Sequence, residues 1–456
     1  MEYIKIDKDI CSGCRECAKI CPVSAIEGEE GQPQVINEEK CIHCGQCVQK
    51  CKSYVSAELD GYDRYREVRE ERNLPETVKE PLFAAYNVSR ISEVMAAINN
   101  PSKVTVVHAA PAVRVALGEE FGIPAGADET GRMIAALYAV GFDHVYDANF
   151  AADLTIMEEG TELINRVTKG TGKLPMITSC CPGWVSFMEK NYPDLKDNLS
   201  TCKSPQQMQG AIEKTYGAQK MKVDDAAVYT VSIMPCTAKI FESDRDEMWD
   251  SGHRDVDCVL TTRELAYLIK AKGIDYLSLE PKEPESVMGN YTGAGAIFGV
   301  TGGVMEAAIR TGYELITGQP IEDLNVESVR GLDGVRYSTV KVGELNLKVC
   351  IVTGMANAYE VLDGIREGKL DVHFIEIMAC PQGCISGGGQ PKLLEDFKRD
   401  EVFDARRSAI YGHDEKLPLR KSHENPDVKA LYDEFLGEPN SEKSHHLLHT
   451  EYCKNR

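Results

Sequence analysis

Short runs of apolar, β-branched residues recur along most of the chain, each breaking off in a loop and giving way to residues at helical spacing. KVTVVHAAPAVRVALGEEFG (103–122) predicts a strand near Val104 to His108, then a loop and a helix. VYTVSIMPCTAKIFESDR repeats the pattern from Val228, and LKVCIVTGMANAYEVLDGIREG from Leu347. The strand-like DCVL (257–260) runs into Thr261-Thr262-Arg263-Glu264, where threonine followed three residues later by glutamate predicts a capping box and a helix start. This alternation predicts an α/β domain. Residues 58–81, ELDGYDRYREVREERNLPETVKEP, are dense in charge and punctuated by Pro75 and Pro81, which predicts a solvated helix followed by a linker. The chain is therefore expected to divide into an N-terminal segment at 1–56, a charged linker at 57–82 and a large domain from 83 onward.

Cysteine changes this picture most. In a small secreted chain 17 cysteines would mean disulfides, but in 456 residues without the basic and apolar regions of a signal peptide they point to metal ligation or catalysis. CSGCRECAKIC (11–21) and CIHCGQCVQKC (41–51) repeat one C-x2-C-x2-C-x3-C pattern. Three thiolates at this spacing wrap one corner of an iron–sulfur cube, and the fourth reaches the other cube. One 4Fe-4S cluster then takes Cys11, Cys14, Cys17 and Cys51, and the other Cys41, Cys44, Cys47 and Cys21. Zinc is the competing ligand set. The stretch resembles the small two-cluster bacterial ferredoxins, with Lys52 where a proline would follow the second run. With every cluster position filled by sulfur, His43 is expected to be an ordinary exposed residue.

The remaining cysteine motifs fall where strands end: Cys180 and Cys181 after LPMI, Cys236 after VSIMP, Cys380 and Cys384 after HFIEIMA. Loops at carboxyl strand ends are where open α/β sheets bind ligands, so distant motifs can meet in one crevice. Cys181, Cys236, Cys380 and Cys384 would complete a third 4Fe-4S cluster with Cys180 in excess beside it, although spacing does not say which of the adjacent pair ligates. Cys202, Cys258, Cys350 and Cys453 have no motif around them and are expected to be buried apolar thiols. Gly387-Gly388-Gly389 offers backbone without side chains, suited to close approach to a cofactor or to a surface turn.

Taken together, TSCCPGW (178–184), MPCTAKIFE (234–242) and MACPQGCISGGGQP (378–391) resemble the three active-site signatures of the FeFe-hydrogenases. GAGAIFGVTGGVMEAAIRT (293–311), ADLTIMEEGTEL (152–163) and KSHENP (421–426) extend the likeness over nearly the whole chain; Gln382 stands where glycine is more usual. The resemblance implies an α/β catalytic domain of two lobes, with mixed and parallel sheets flanked by helices and an H-cluster between them. It also implies an N-terminal α+β ferredoxin-like domain, a catalytic domain ending at 400 (83–400), and a helical C-terminal tail at 401–456 like the small subunit of periplasmic relatives. The implied H-cluster is a 4Fe-4S cube held by Cys181, Cys236, Cys380 and Cys384 and bridged through Cys384 to a two-iron subsite carrying CO, cyanide and an azadithiolate. The implied reaction is reversible conversion of two protons and two electrons to H2.

A proton relay is implied through Cys180, Glu159, Ser200 and Glu162, with Arg166 near the exit. An unbound thiol suits the first station, because it accepts and returns a proton at modest cost. Glu159, Glu162 and Arg166 are spaced to share a helix face, whereas Glu158 points elsewhere and should be dispensable. Lys239 would face an anionic cyanide, with Glu242 as a structural contact. Ala110, Pro111, Ala112, Ser204 and Gln206 carry over as pocket residues, and Met234, Phe298 and Met378 as walls. His445, His446 and His449 are expected to be structural rather than metal ligands.

Charge then narrows the partners. A formal net charge of −21 with no basic cluster argues against nucleic acid, and no apolar run reaches membrane-spanning length. A cytoplasmic monomer or homodimer is expected, served by a ferredoxin or flavodoxin-type electron carrier and by diiron-site maturation proteins. Two other readings remain open: a cluster-binding carrier or assembly protein on the same fold, and a component of a larger NADH-linked complex. No G-x-G-x-x-G follows a strand, so nicotinamide chemistry would lie on another chain.

Overall fold

Two four-stranded sheets carry the large domain in the computed structural model, which describes residues 2–76 and 79–452. Their strands are β1 (Val104–Ala109), β2 (His144–Asp147), β3 (Met176–Ile177), β4 (Val228–Met234), β5 (Cys258–Thr261), β6 (Val335–Val342), β7 (Leu345–Thr353) and β8 (Phe374–Met378). One sheet is wholly parallel, in the order β5-β4-β1-β2. The other runs β6-β7-β8-β3, with only β6 antiparallel to its neighbour. The apolar runs of β1 and β4 are buried, as parallel strands covered on both faces require. On β6 exposed residues interrupt buried ones, as suits an edge strand.

The helices that position the site are α1 (Gln46–Lys50), α2 (Ala148–Lys169), α3 (Pro182–Asn191), α4 (Pro205–Ile212), α5 (Ala238–Ser243), α6 (Thr262–Ala271), α7 (Gly303–Thr317), α8 (Arg399–Lys416) and α9 (Glu442–Leu448). The expected capping box opens α6: the Thr261 hydroxyl accepts from the Glu264 N–H, and Glu264 accepts in return. Asp147 caps α2 by accepting from the Asn149 N–H, and the same carboxylate pairs with the fully buried Arg114 at 2.8 Å. That pairing anchors the first turn of the helix bearing Glu159 and Glu162.

The N-terminal domain draws on residues beyond its expected end. Ile4–Ile6 pairs with Ala85–Asn87, and Tyr54–Val55 with Leu82–Phe83, so the chain past residue 81 completes two of the small sheets. The charged helix, Tyr62–Glu71, is not solvated all round: Tyr65 and Val68 bury one face against Val55 and Leu82. Charge density concealed an amphipathic stripe of only two residues. Cys202, Cys258 and Cys350 are buried thiols as expected, while Cys453 lies outside the described residues. Among the described residues no helix is long and apolar enough to cross a membrane.

Candidate metal centre

The carboxyl ends of β1, β3, β4 and β8 converge on one cavity. Cys180, Cys181, Cys236, Cys380 and Cys384 all line it, although they lie up to two hundred residues apart in sequence. Ala110, Pro111, Ala112, Gln206, Met234, Lys239, Phe298 and Met378 line it too. Ser204 is not among the lining residues; its hydroxyl donates to Glu242 at 2.8 Å instead.

Chemistry separates the adjacent cysteines. Cys181 is the N-cap of α3, ahead of Pro182, and its sulfur accepts the Ala379 N–H at 3.4 Å. Helix-end and backbone donors of this kind stabilise a thiolate. Burial first, and then the charges of Glu159 and Cys181, hold the Cys180 thiol well above the ordinary range, outweighing the nearby Lys239 ammonium. Burial also raises Cys181, Cys380 and Cys384, and pushes Cys236 up to about 12. A cage of desolvated thiols with no carboxylate or imidazole on the cavity wall is a soft donor set, suited to iron–sulfur chemistry. None of the sixteen described cysteines forms a disulfide that would compete.

The glycines after Cys384 make room for protein. A Cβ on Gly387 would lie 2.1 Å from the Pro235 carbonyl oxygen, and one on Gly388 would lie 2.2 Å from that of Cys44. The run therefore draws the β4 and β8 loops and the N-terminal domain together around the thiols. Gln382 adopts φ +64°, a conformation that explains a preference for glycine, and is held there by its N–H to Thr353 and its carbonyl to Thr301.

The first eight cysteines form two groups in space. Cys17 feels the charges of Cys51, Cys11 and Cys14, and Cys44 those of Cys41, Cys21 and Cys236. The second group thus adjoins the cavity, while Cys14 of the first is exposed. Gln46 links the domains by donating to the Cys380 sulfur at 3.4 Å and the Ser386 carbonyl at 3.0 Å. His43, expected to be exposed, is buried at this junction. Its ring packs against Tyr3 and Phe241, and its carbonyl accepts from Thr237 at 2.6 Å. Its neighbours in sequence gave no sign of the domain that covers it.

On α2, Glu162 pairs with Arg166 at 2.6 Å and accepts the Ser200 hydroxyl at 3.0 Å. Arg166 is itself buried, clamping the carbonyls of Lys173, Asp197 and Leu199. Glu159 is buried with neither carboxyl oxygen in a hydrogen bond of ordinary length. Ser200 and the Ser179 backbone stand near it, but desolvation outweighs them and raises it to about 8. Lys239 donates to Glu242 at 2.8 Å and to the Cys180 carbonyl at 3.1 Å, so its ammonium stays charged beside the thiols. Glu242 also receives Ser204 and Gln206, making it the hub of this wall; its place three residues after Lys239 hinted at only one of these contacts.

Glu158 points away from this path, as its helical position implied, but it is no idle residue. It is fully buried and accepts from Tyr432, Ser444 and the Asn440 N–H, and it meets His449 at 3.0 Å. His449 therefore has a carboxylate partner, and Cys202 lies 3.9 Å away; both came from distant sequence.

The chain matches three family models: the 4Fe-4S dicluster domain over residues 3–52, the C-terminal domain of the iron only hydrogenase large subunit over 103–388, and the iron hydrogenase small subunit over 400–455. It is 46% identical, over 98% of its length and 74% of the relative's, to the NADP-reducing hydrogenase subunit HndD of Solidesulfovibrio fructosivorans. It is 40% identical to iron hydrogenase 1 of Clostridium pasteurianum over 93% of this chain and 77% of that one. A solved structure of a variant of apo FeFe-hydrogenase HydA1 from Chlamydomonas reinhardtii superposes with a TM-score of 0.70 at 41% identity, covering 80% of this chain and 98% of that one.

Proposed function

The chain belongs to the iron-only hydrogenases, and from that premise we propose a division of labour: Cys181, Cys236, Cys380 and Cys384 hold metal while Cys180, left unbound, moves protons. Its reaction is the reversible formation and oxidation of H2 at an H-cluster, with further iron–sulfur clusters in the N-terminal domain. In our reading the H-cluster is a 4Fe-4S cube joined to a two-iron subsite with CO, cyanide and azadithiolate ligands, and supplies the metal at which H2 is made and split. The observation that carries the assignment is the meeting of five cysteines in one cavity, one of them set apart by its environment.

The residues around that cavity have distinct tasks. Cys180 keeps its proton at neutral pH and can release it only to a neighbouring base. Glu159, raised to about 8, is poised to take and return that proton, and Ser200 leads on to Glu162 and Arg166. The breaks in this chain, at Cys180 and around Glu159, are where water would have to bridge. Lys239, oriented by Glu242, offers an ammonium to an anionic ligand. Ala110, Pro111, Ala112 and Gln206 shape the pocket, with Met234, Phe298 and Met378 as apolar walls. Gln206 keeps its side-chain carbonyl oxygen unpartnered.

Electrons would enter at Cys14, pass from the outer cluster (Cys11, Cys14, Cys17, Cys51) to the inner one (Cys41, Cys44, Cys47, Cys21), and reach the cavity at the Gln46–Cys380 contact. A ferredoxin or flavodoxin-type carrier is the proposed donor in a reducing, cytoplasmic setting. The likeness to one component of an NADP-reducing hydrogenase supports a second source, a companion chain docking at the same end. Protein produced with diiron-site maturation proteins should give infrared bands of iron-bound CO and cyanide and evolve H2 from a reduced carrier. Cluster-loaded protein that lacks both would contradict the reading.

A further inference from the structure

A second set of side chains of metal-ligating type meets at Glu162, none of them among the residues that line the cavity. One ligand atom each from Glu162, Cys202 and His449 lies within 4.8 Å of the others. The Cys202 sulfur stands 3.9 Å from Glu162 Oε2 and 3.9 Å from His449 Nδ1. Three separate parts of the chain contribute: α2, the segment between Ser200 and α4, and the end of α9. Backbone pairing fixes their spacing, because Cys202 bridges His449, the Lys203 N–H donates to the Leu448 carbonyl, and the Thr450 N–H donates to that of Thr201. Cys202 and His449 are buried, at 1% and 3% exposure, so neither is a chance surface neighbour.

The imidazole is also held in the orientation that a ligand needs. With Nε2–H donating to Glu158 Oε2 at 3.0 Å, Nδ1 keeps its lone pair. A carboxylate behind the ligating histidine is the usual support in zinc proteins. Nδ1 lies 2.7 Å and Glu162 Oε2 3.2 Å from the same Thr201 hydroxyl, whose single proton serves only one of them at a time, so that hydroxyl bridges the two ligand atoms and must turn aside when an ion takes its place. Zinc bonds of about 2.0 Å to nitrogen and oxygen and about 2.3 Å to sulfur imply ligand separations near 3.5 Å, a few tenths of an ångström inside the two 3.9 Å separations from the Cys202 sulfur, while the Glu162–His449 pair lies within 4.8 Å. Thiolate, imidazole and carboxylate together favour zinc over harder cations.

We propose that Glu162, Cys202 and His449 form a site for a thiophilic divalent cation, zinc foremost, whose binding takes Glu162 out of the proton path and slows H2 turnover. The gating half rests on the relay reading above; the site itself does not. Binding converts the Cys202 thiol to a zinc thiolate and releases its proton to solvent, while neutral His449 and the Glu162 carboxylate coordinate without further proton loss. The ion then occupies the carboxylate oxygen that otherwise accepts from Ser200.

The test is a titration of cluster-loaded enzyme with zinc alone, followed by turnover and by zinc-edge X-ray absorption. Zinc should inhibit and show one sulfur among its nearest neighbours. Cys202→Ala, which leaves Ser200 and Glu162 intact, should keep turnover in the absence of zinc, lose the sulfur neighbour and need about 10- to 100-fold more zinc for inhibition. His449→Gln should shift the titration the same way. A zinc shell without sulfur, or a titration that Cys202→Ala leaves unchanged, would overturn the site. Sulfur-ligated zinc that depends on Cys202 yet leaves turnover untouched would overturn the gating and, with it, the place of Glu162 in the relay.

Discussion

Glu158 and Glu159 are adjacent on one helix and both buried, yet they face opposite chemical environments. Glu158 accepts hydrogen bonds from four neighbouring groups, whereas Glu159 has none of ordinary length and is raised to about 8. A carboxyl that is harder to ionise folded than unfolded binds more protons in the folded state between its unfolded value, near 4.5, and about 8. Stability contributed by Glu159 is therefore complete below about pH 4.5, is lost as pH rises to about 8, and then levels off. Replacing Glu159→Gln should remove this slope, up to about 1.4 kcal/mol per pH unit across the window. Denaturant unfolding of wild type and variant at several pH values measures the difference. Parallel pH profiles would mean that Glu159 is not held protonated by burial.

Among the elements, α2 serves two faces. One carries Glu159, Glu162 and Arg166 toward Ser200, and the other clasps the C-terminal segment through Glu158. Substituting Glu158→Ala should strand the buried Tyr432 and Ser444 hydroxyls and cost at least about 2 kcal/mol. Hydrogen exchange should accelerate over residues 426–450 while iron content is retained; unchanged exchange there would contradict the clasp. Helical spacing put the three residues of the first face side by side, but alone it read them as a solvated salt-bridge face; the relay reading came from the resemblance. The second was hidden, since its partners lie some 280 residues away and nothing local marks them. The same limit explains His449, whose carboxylate and thiol partners lie in other elements. His43 was misjudged for a related reason: nothing in CIHCGQC marks the distant Phe241 against which its ring packs.

At the scale of the whole molecule, two lobes and a cluster domain meet where glycines allow it. The strand ends and their cysteines were legible because metal ligation restricts spacing within each loop, and because parallel sheets place those loops together. The order of the two N-terminal clusters was not, since the repeat is nearly symmetric and only packing exposes Cys14 and presses Cys44 toward Cys236. Gly388 lies within that packing, against Cys44 and Gly45. Gly388→Ala would drive a Cβ to 2.2 Å from the Cys44 carbonyl oxygen and should cost about 1–3 kcal/mol. It should slow turnover driven by a protein carrier more than turnover driven by a small reductant that reaches the cavity directly. Thermal unfolding and paired assays measure both effects, and equal loss with both donors would count against electron entry through this junction.

The division of labour at the paired cysteines is tested most directly by Cys180→Ala in fully matured enzyme, with infrared spectra and H2 turnover measured on one preparation. The account predicts retained CO and cyanide bands and a loss of turnover of about 10²- to 10⁴-fold, the usual weight of a positioned proton donor. Near-normal turnover with those bands intact, or disappearance of the bands, would contradict it.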